Sequence, residues 1–316
     1  MNASSPETSI LKDAHGRLSV SYRIRRKADY LFAWGLARAV EACPPVAEWL
    51  RSHDFRNKDR VVMSLNARAL HTESPAVCDG LRYELDLNDD LQRLIYFNAY
   101  ERELISALLP SVDPNQAFFD VGANVGFYAL HAARLMQTGC VYAFEPEPGN
   151  FARLQKNCEL NGYERRVKPY KLAVSNTVGR AKFFRCNRNS GWGNLKGFAD
   201  GPDSEIEVET TTIDDFCRTE GISRIGFLKI DVEGSEPQVV EGAAGMLGAK
   251  RIDQVFAEFV GLSLPFVGYP FRDFLALFAQ FGYRPDAMSR SLTAAILSGE
   301  IPENTVCTNF LFEPER

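Results

Sequence analysis

The rhythm of apolar and polar positions along this chain changes once, just after Pro110 and Pro114. Before that point the spacing predicts helices with one strand among them. Residues 1–20 are polar, and residues 28–42 turn helical, with Leu31, Trp34 and Ala39 among apolar neighbours until Pro44-Pro45 stops the pattern. Residues 81–87 alternate apolar and charged, as a half-buried strand does. Leu91, Leu94 and Ile95, then Leu104, Ile105 and Leu108, mark two short helices around Asn98-Ala99-Tyr100-Glu101.

From residue 117 the pattern reads β-α-β-α. Strands are expected at 117–121, 140–144, 167–174, 225–231, 252–259 and 305–312. Helices are expected at 127–135 and 151–160, around Val239, Val240 and Leu247, and at 271–281. Such alternation predicts an α/β fold, a mostly parallel sheet with helices on both faces. Residues 180–212 interrupt it with two strands, 180–185 and 206–212, on either side of the Gly-rich piece Asn189-Ser190-Gly191-Trp192-Gly193-Asn194. That piece, with Trp192 on it, is expected to be a mobile flap facing an acceptor or else a plain surface β-turn. Residues 1–78 form a mainly helical extension, and 79–316 the α/β domain.

Composition narrows the function classes. With 316 residues, 36 basic and 41 acidic, the chain carries a net charge of −5 and shows no long basic stripe, so nucleic acid is not the expected partner. Arg23, Arg25, Arg26 and Lys27 form a small basic cluster that reads as a solvated helix start rather than a membrane or phosphate contact. The apolar run 30–50 holds Arg38, Glu41 and two prolines, which makes it too interrupted for a bilayer span, and the first residues lack a signal-peptide pattern. Seven scattered cysteines, without CxxC or a Cys/His cluster, fit a reduced, cytoplasmic setting.

The sharpest motif is Asp120-Val121-Gly122-Ala123-Asn124-Val125-Gly126, between a strand and a helix. In open α/β sheets ligands bind at the carboxyl ends of the strands, so this turn is expected to touch a cofactor. A dinucleotide fingerprint needs a second glycine where Asn124 stands, and Asp120 would repel a pyrophosphate. A carboxylate suits the ammonium group of S-adenosylmethionine instead. Glu145 closes the next strand in Phe144-Glu145-Pro146, where an acid can accept hydrogen bonds from both ribose hydroxyls.

A second charged group abuts an apolar strand, in Lys229-Ile230-Asp231-Val232-Glu233-Gly234. In a doubly wound sheet this strand lies beside the first, which brings Asp231 and Glu233 near the donor methyl. Methyl transfer needs in-line alignment and removal of a proton from a hydroxyl acceptor, a task for a carboxylate. Glu258 is a third strand-end acid facing the same crevice. Lys229 either pairs with a carboxylate or stabilises a deprotonated acceptor. His131 reads as a structural histidine within a helix, not as the base. Asp231, Glu233 and Glu258 are a set that a divalent cation could use, but no histidine accompanies them and no metal is expected.

These motifs, in order, resemble the FkbM family of methyltransferases. The resemblance rests on Tyr100-Glu101, DVGANVG at 120–126, VYAFEPEPGNFARLQKNCELN at 141–161, Ala173-Val174-Ser175, TTIDDF at 211–216, LKIDVEGSE at 228–236, and Gly242, Leu247 and Glu258. It covers residues 80–260, and implies a class I, Rossmann-like fold with seven strands, the last antiparallel. It also implies O-methylation of a hydroxyl on a sugar, lipid or polyketide-like small molecule, with S-adenosylmethionine as the donor. By that resemblance Asp120, Gly122, Asn124 and Gly126 hold the donor's amino-acid end, Glu145 the ribose, and Ala173 borders the adenine. Asp231 and Glu233 border the transfer site, and Tyr100 and Glu101 fold over the donor as part of a lid. Competing readings are an N-methyltransferase, an aminopropyl transferase, a nicotinamide oxidoreductase, and a non-catalytic module that retains the nucleoside site. Intact Lys229, Asp231, Glu233 and Glu258 speak against the last.

Overall fold

The computed structural model describes residues 35–40, 42–55, 57–66, 70, 75–197, 204–261 and 270–315. The basic cluster at 23–27, Leu31 and Trp34 lie outside the described residues. The chain divides into two compact units, Met1–Ser106 and Ala107–Arg316.

In the first unit, residues 35–40 are helical. The two prolines then open a new helix, α1 (Pro44–Ser52), because proline's fixed φ suits the first turn, where its missing N–H costs nothing. Helix α2 (Lys58–Met63) follows. Strands β1 (Ala76–Cys78) and β2 (Leu81–Tyr83) pair antiparallel across Asp79-Gly80, both residues being left-handed at φ 49° and 76°. The strand expected over 81–87 therefore ends at Tyr83. Beyond it the Asp86 carboxylate accepts the Asn88 amide and the Asp86 N–H donates to Gln92 Oε1, which turns the chain. Helices α3 (Asp90–Tyr96) and α4 (Arg102–Leu108) complete the expected pair.

In the second unit the elements run in this order: β3 (Ala117–Val121), α5 (Phe127–Ala133), β4 (Val141–Phe144), α6 (Pro148–Leu160) and β5 (Val167–Tyr170). Next come β6 (Ala173–Val174), β7 (Gly179–Arg185), β8 (Ser204–Thr211), α7 (Ile213–Glu220) and β9 (Ile225–Ile230). The chain continues through α8 (Glu236–Glu241), α9 (Ala244–Gly248), β10 (Ile252–Val260), α10 (Phe271–Ala279), β11 (Tyr283–Pro285), α11 (Ala287–Leu297) and β12 (Cys307–Pro314). Among the described residues, seven strands form one sheet in the order β11-β12-β10-β9-β3-β4-β5. Only β12 runs against the rest, inserted between β10 and β11. This is the mostly parallel, class I sheet expected, with its last strand antiparallel.

Both faces are covered because alternate residues point to opposite sides. Phe119, Leu228 and Val255 lie in one large cluster with Phe216 of α7, Val239 and Val240 of α8, Leu247 of α9 and Phe274 of α10. On the other face Phe118 stacks on Phe227, which meets Phe256 and, through it, Tyr128 of α5.

Two expected elements are divided. The strand expected over 167–174 is β5 in the main sheet and β6 in a separate three-stranded sheet, β6-β8-β7. As the edge strand, β5 tolerates Pro169, which has no N–H for a further ladder. The helix expected around 239–247 breaks into α8 and α9 at Gly242. There a Cβ would lie 2.1 Å from the Ser175 carbonyl oxygen, so only glycine permits the approach. Strand β11 and helix α11, which no periodicity signal marked, extend the sheet past the antiparallel strand.

Candidate active site

The topological switch point of the sheet lies between β3 and β9, whose neighbours on either side are β4 and β10. Four chain segments converge there. The first is the turn from β3 into α5. Gly122, Asn124 and Gly126 are all left-handed, at φ 80°, 49° and 95°. A Cβ on Gly122 would fall 1.8 Å from the Asp231 carbonyl oxygen, so glycine is required for β3 and β9 to meet at this point. The amides of Gly122 and Ala123 both donate to the Phe144 carbonyl, at 3.0 and 2.9 Å, which folds the turn over the end of β4. Asn124 uses its own side chain to hold its conformation, Oδ1 accepting the Val125 amide at 2.8 Å.

The second segment follows β4. Glu145 is buried, and its two oxygens divide their work: Oε2 accepts the Asn124 amide at 2.8 Å and Oε1 the Glu147 amide at 2.9 Å. Burial pushes this carboxyl up to about 7, against the pull of those two amides. Glu147 caps α6 by accepting the Asn150 amide at 2.7 Å, and its other oxygen pairs with Arg185 of β7 at 2.9 Å.

The third segment is the end of β9 with the turn after it, the fourth is the last part of β10, and together they carry the acids. The Asp231 amide donates to the Val121 carbonyl at 3.1 Å, which continues the ladder between β9 and β3. Lys229 is buried, with its ammonium 3.3 Å from Asp120 Oδ1 and 3.1 Å from Asp231 Oδ2. It donates to the Gly122 carbonyl at 3.0 Å and sits 5.1 Å from the centre of the Tyr128 ring. Asp120 has no exposed surface, and burial raises its carboxyl above the usual range while Lys229 opposes the shift. Asp231 keeps 22% of its side chain exposed. Glu233 is left-handed at φ 52°. Oxygens of Asp231, Glu233 and Glu258 lie within 4.8 Å of one another, a grouping able to hold a cation.

Of the other residues expected at the site, Ala173 is buried in β6, opposite Thr210 of β8. Tyr100 and Glu101 belong to the first unit, where Glu101 is left-handed at φ 40° and its carbonyl accepts the Ile105 amide. His131 is buried, a ring nitrogen 2.8 Å from the Phe127 carbonyl. Two residues escaped the sequence reading. Glu236, buried at the start of α8, accepts the amides of Val232 and Gly234 and so holds the acidic turn; burial pushes it up to about 7. An acid just before a proline at a helix start was the available signal. Ser190 meets Asn124, whose Nδ2 donates to its hydroxyl at 3.1 Å, and no sequence spacing links these two positions.

Residues 120–285, just over half of the chain, match the Methyltransferase FkbM domain. The chain belongs to the FkbM methyltransferase family. As a family member it is an S-adenosylmethionine-dependent methyltransferase. It is 29% identical over 195 residues to the 2-O-methyltransferase NoeI of Sinorhizobium fredii, covering 57% of this chain and 76% of that protein. It is 33% identical over 171 residues to the 31-O-demethyl-FK506 methyltransferase FkbM of Streptomyces tacrolimicus, covering 46% and 65%. To the hexuronic acid methyltransferase AglP of Haloferax volcanii it is 27% identical over 147 residues, covering 46% and 58%. The chain thus spans less than two thirds of the latter two relatives. Among the described residues no helix is long and apolar enough to cross a membrane.

Proposed function

We propose that this methyltransferase transfers its methyl group to a hydroxyl oxygen on a small acceptor of sugar, lipid or polyketide-like type. The observation that carries this reading is the grouping of Asp231, Glu233 and Glu258 beside the glycine turn. A hydroxyl is a poor nucleophile until its proton leaves, and carboxylates are the proton acceptors this crevice offers. The relatives named for O-methylation, on such different acceptors, support oxygen as the target.

The residues present fit the donor. Glu145 is held by one backbone amide on each oxygen just past the end of β4, the position from which an acid accepts ribose hydroxyls in open α/β sheets. In the turn 122–126 the glycines make room for the Asp231 carbonyl and the Leu154 side chain, which lets the turn close over the end of β4. When bound, S-adenosylmethionine supplies an electrophilic methyl carbon on a sulfur that leaves as a neutral thioether. Glu145 holds the ribose, and the turn seats the amino-acid end. In this reading Asp120 acts through Lys229, because its carboxylate is wholly buried against that ammonium. Lys229 in turn orients Asp231 and the Gly122 carbonyl. Asp231, at the end of the strand adjoining the turn, takes the acceptor proton, while Glu233 and Glu258 hold neighbouring hydroxyls.

The decisive test is incubation with isotopically labelled donor and a metabolite extract, followed by identification of the labelled product. A methyl ether is expected. Label on nitrogen, or no transfer to any component, overturns the reading.

A further inference from the structure

Residues 189–197, which include the piece expected to be a mobile flap or a plain surface turn, are tied by their own side chains. Asn189 and Asn194 are both buried. Asn189 Oδ1 accepts the Gly191 amide at 2.9 Å. Asn194 pairs with Phe184 through both backbone groups, at 2.8 and 3.1 Å, and its Nδ2 donates to the Trp192 carbonyl at 3.1 Å. Its Oδ1 accepts the amides of Lys196 and Gly197, at 2.9 and 2.6 Å. Gly193 lies flat on Phe183, so close that a Cβ would come within 2.6 Å of the ring. The backbone on both sides of Trp192 is therefore fixed, yet the indole itself is 50% exposed.

Two contacts fix the segment to opposite banks of the crevice. Ser190 meets Asn124 of the glycine turn at 3.1 Å. Lys196 donates to the side-chain oxygen of Gln238 at 2.9 Å, with that amide turned so that its nitrogen donates to the Ser235 carbonyl. Gln238 lies in α8, directly after the acidic turn 231–235. Trp192 thus lies on a stretch of chain whose two ends, Ser190 and Lys196, reach the glycine turn and the helix that follows the acidic turn.

We infer that Trp192 is the stacking platform for the acceptor and that it selects a pyranose ring. An indole face is apolar and electron-rich, and the C–H face of a sugar ring is its natural complement. Rings that stack this way direct their hydroxyls outward, where Asp231, Glu233 and Glu258 accept hydrogen bonds. A hydrocarbon acceptor would need a continuous apolar wall. Around Trp192 the segment and its contacts bring polar side chains instead, Ser190, Lys196 and Gln238. This inference rests on the proposed O-methylation only for the chemistry that follows binding.

The test uses the full chain with Trp34→Phe and Trp49→Phe, which leaves Trp192 as its one indole. With S-adenosylhomocysteine present, methyl β-D-glucopyranoside and methyl β-D-glucuronide are titrated against indole emission, with 1-octanol as the hydrocarbon probe. A saturable response to a pyranoside and none to octanol is expected. By calorimetry, Trp192→Ala should weaken pyranoside binding roughly tenfold and Trp192→Phe less, with S-adenosylhomocysteine affinity unchanged in both. A response to octanol alone, equal pyranoside affinity in Trp192→Ala, or a parallel loss of S-adenosylhomocysteine affinity overturns the inference. Pyranoside binding without methyl transfer would overturn the proposed reaction and leave the platform standing.

Discussion

The two banks of the crevice treat their carboxylates in opposite ways. On the side of β4, Glu145 takes a backbone amide on each oxygen and Glu147 takes one on Oε2, so that the acids and the chain fix one another. On the acceptor bank, Asp120, Asp231 and Lys229 form a side-chain cluster in which two carboxylates share one ammonium, with Glu233 and Glu258 close to Asp231. Backbone amides cannot move without unfolding local structure, so the donor bank is a rigid receptor. Side-chain charges adjust when a proton leaves an acceptor, so the second bank suits chemistry. Backbone amides also hold the acidic turn, through Glu236, so the contrast lies in Asp231, Glu233 and Glu258 rather than in every acid on that side.

The largest effect expected from breaking this division is on turnover. Asp231→Asn keeps the shape but removes the proton acceptor, so kcat should fall by about 10²–10⁴-fold while donor affinity, measured by calorimetry, survives. Loss of donor affinity with normal turnover at saturation would move Asp231 to the donor bank and pass the base role to Glu233 or Glu258.

Lys229→Met tests the charge balance. It leaves Asp120 buried without its cation, and should cost about 3–5 kcal/mol in denaturant unfolding. Adding Asp120→Asn should recover much of that loss, because the uncompensated charge goes too. An undiminished midpoint in the single variant would show that Asp120 does not depend on Lys229.

Glu145→Gln sharpens the donor side. Donor affinity should fall by about 1–3 kcal/mol, the usual range for hydrogen bonds to a charged group. The pH dependence has a definite sign. With its carboxyl near 7, Glu145 is protonated below that value, and ribose hydroxyls favour the ionised form. In wild type the affinity for S-adenosylhomocysteine should therefore rise from pH 6 to pH 8 and then level off. The Glu145→Gln variant should show a flat profile.

The smallest effect concerns Glu236. Its folded pKa, near 7, lies above the ordinary carboxyl value of 4.5. Its contribution to stability is then full below pH 4.5 and lost as pH rises through 7. Glu236→Gln retains an acceptor for Val232 and Gly234, and should flatten that slope by on the order of 1–2 kcal/mol between about pH 5 and pH 8.5. An unchanged slope would mean that the acidic turn is not held by this residue.

Local signals carried most of the fold and the glycine turn. Glycines at 122 and 126, with an acid ending each flanking strand, state a backbone requirement and a charge within a few residues of one another, and these follow from the residue types alone. The order of strands and helices was equally legible, because period 2 and period 3.6 are local properties of the chain. Where the reading failed, the deciding contact was remote in sequence. The helix around 239–247 breaks because Gly242 meets Ser175, and the strand at 167–174 divides because its second half pairs with Thr210 and Thr211.

The acceptor bank was legible as a set of charged residues but not as a machine. The sequence determined that Lys229, Asp231, Glu233 and Glu258 gather just beyond the apolar runs 225–228 and 255–257. It left open whether Lys229 faces a carboxylate or the acceptor. Tertiary structure decided that by burying Asp120 and aiming the ammonium at it, 109 positions away along the chain (229 − 120). Tertiary structure likewise linked the segment around Trp192 to its surroundings, through Ser190 on Asn124 and Lys196 on Gln238. Residue identity fixes which charges and rings exist, whereas the low dielectric and the close approach that give them partners arise only when distant strands are packed side by side.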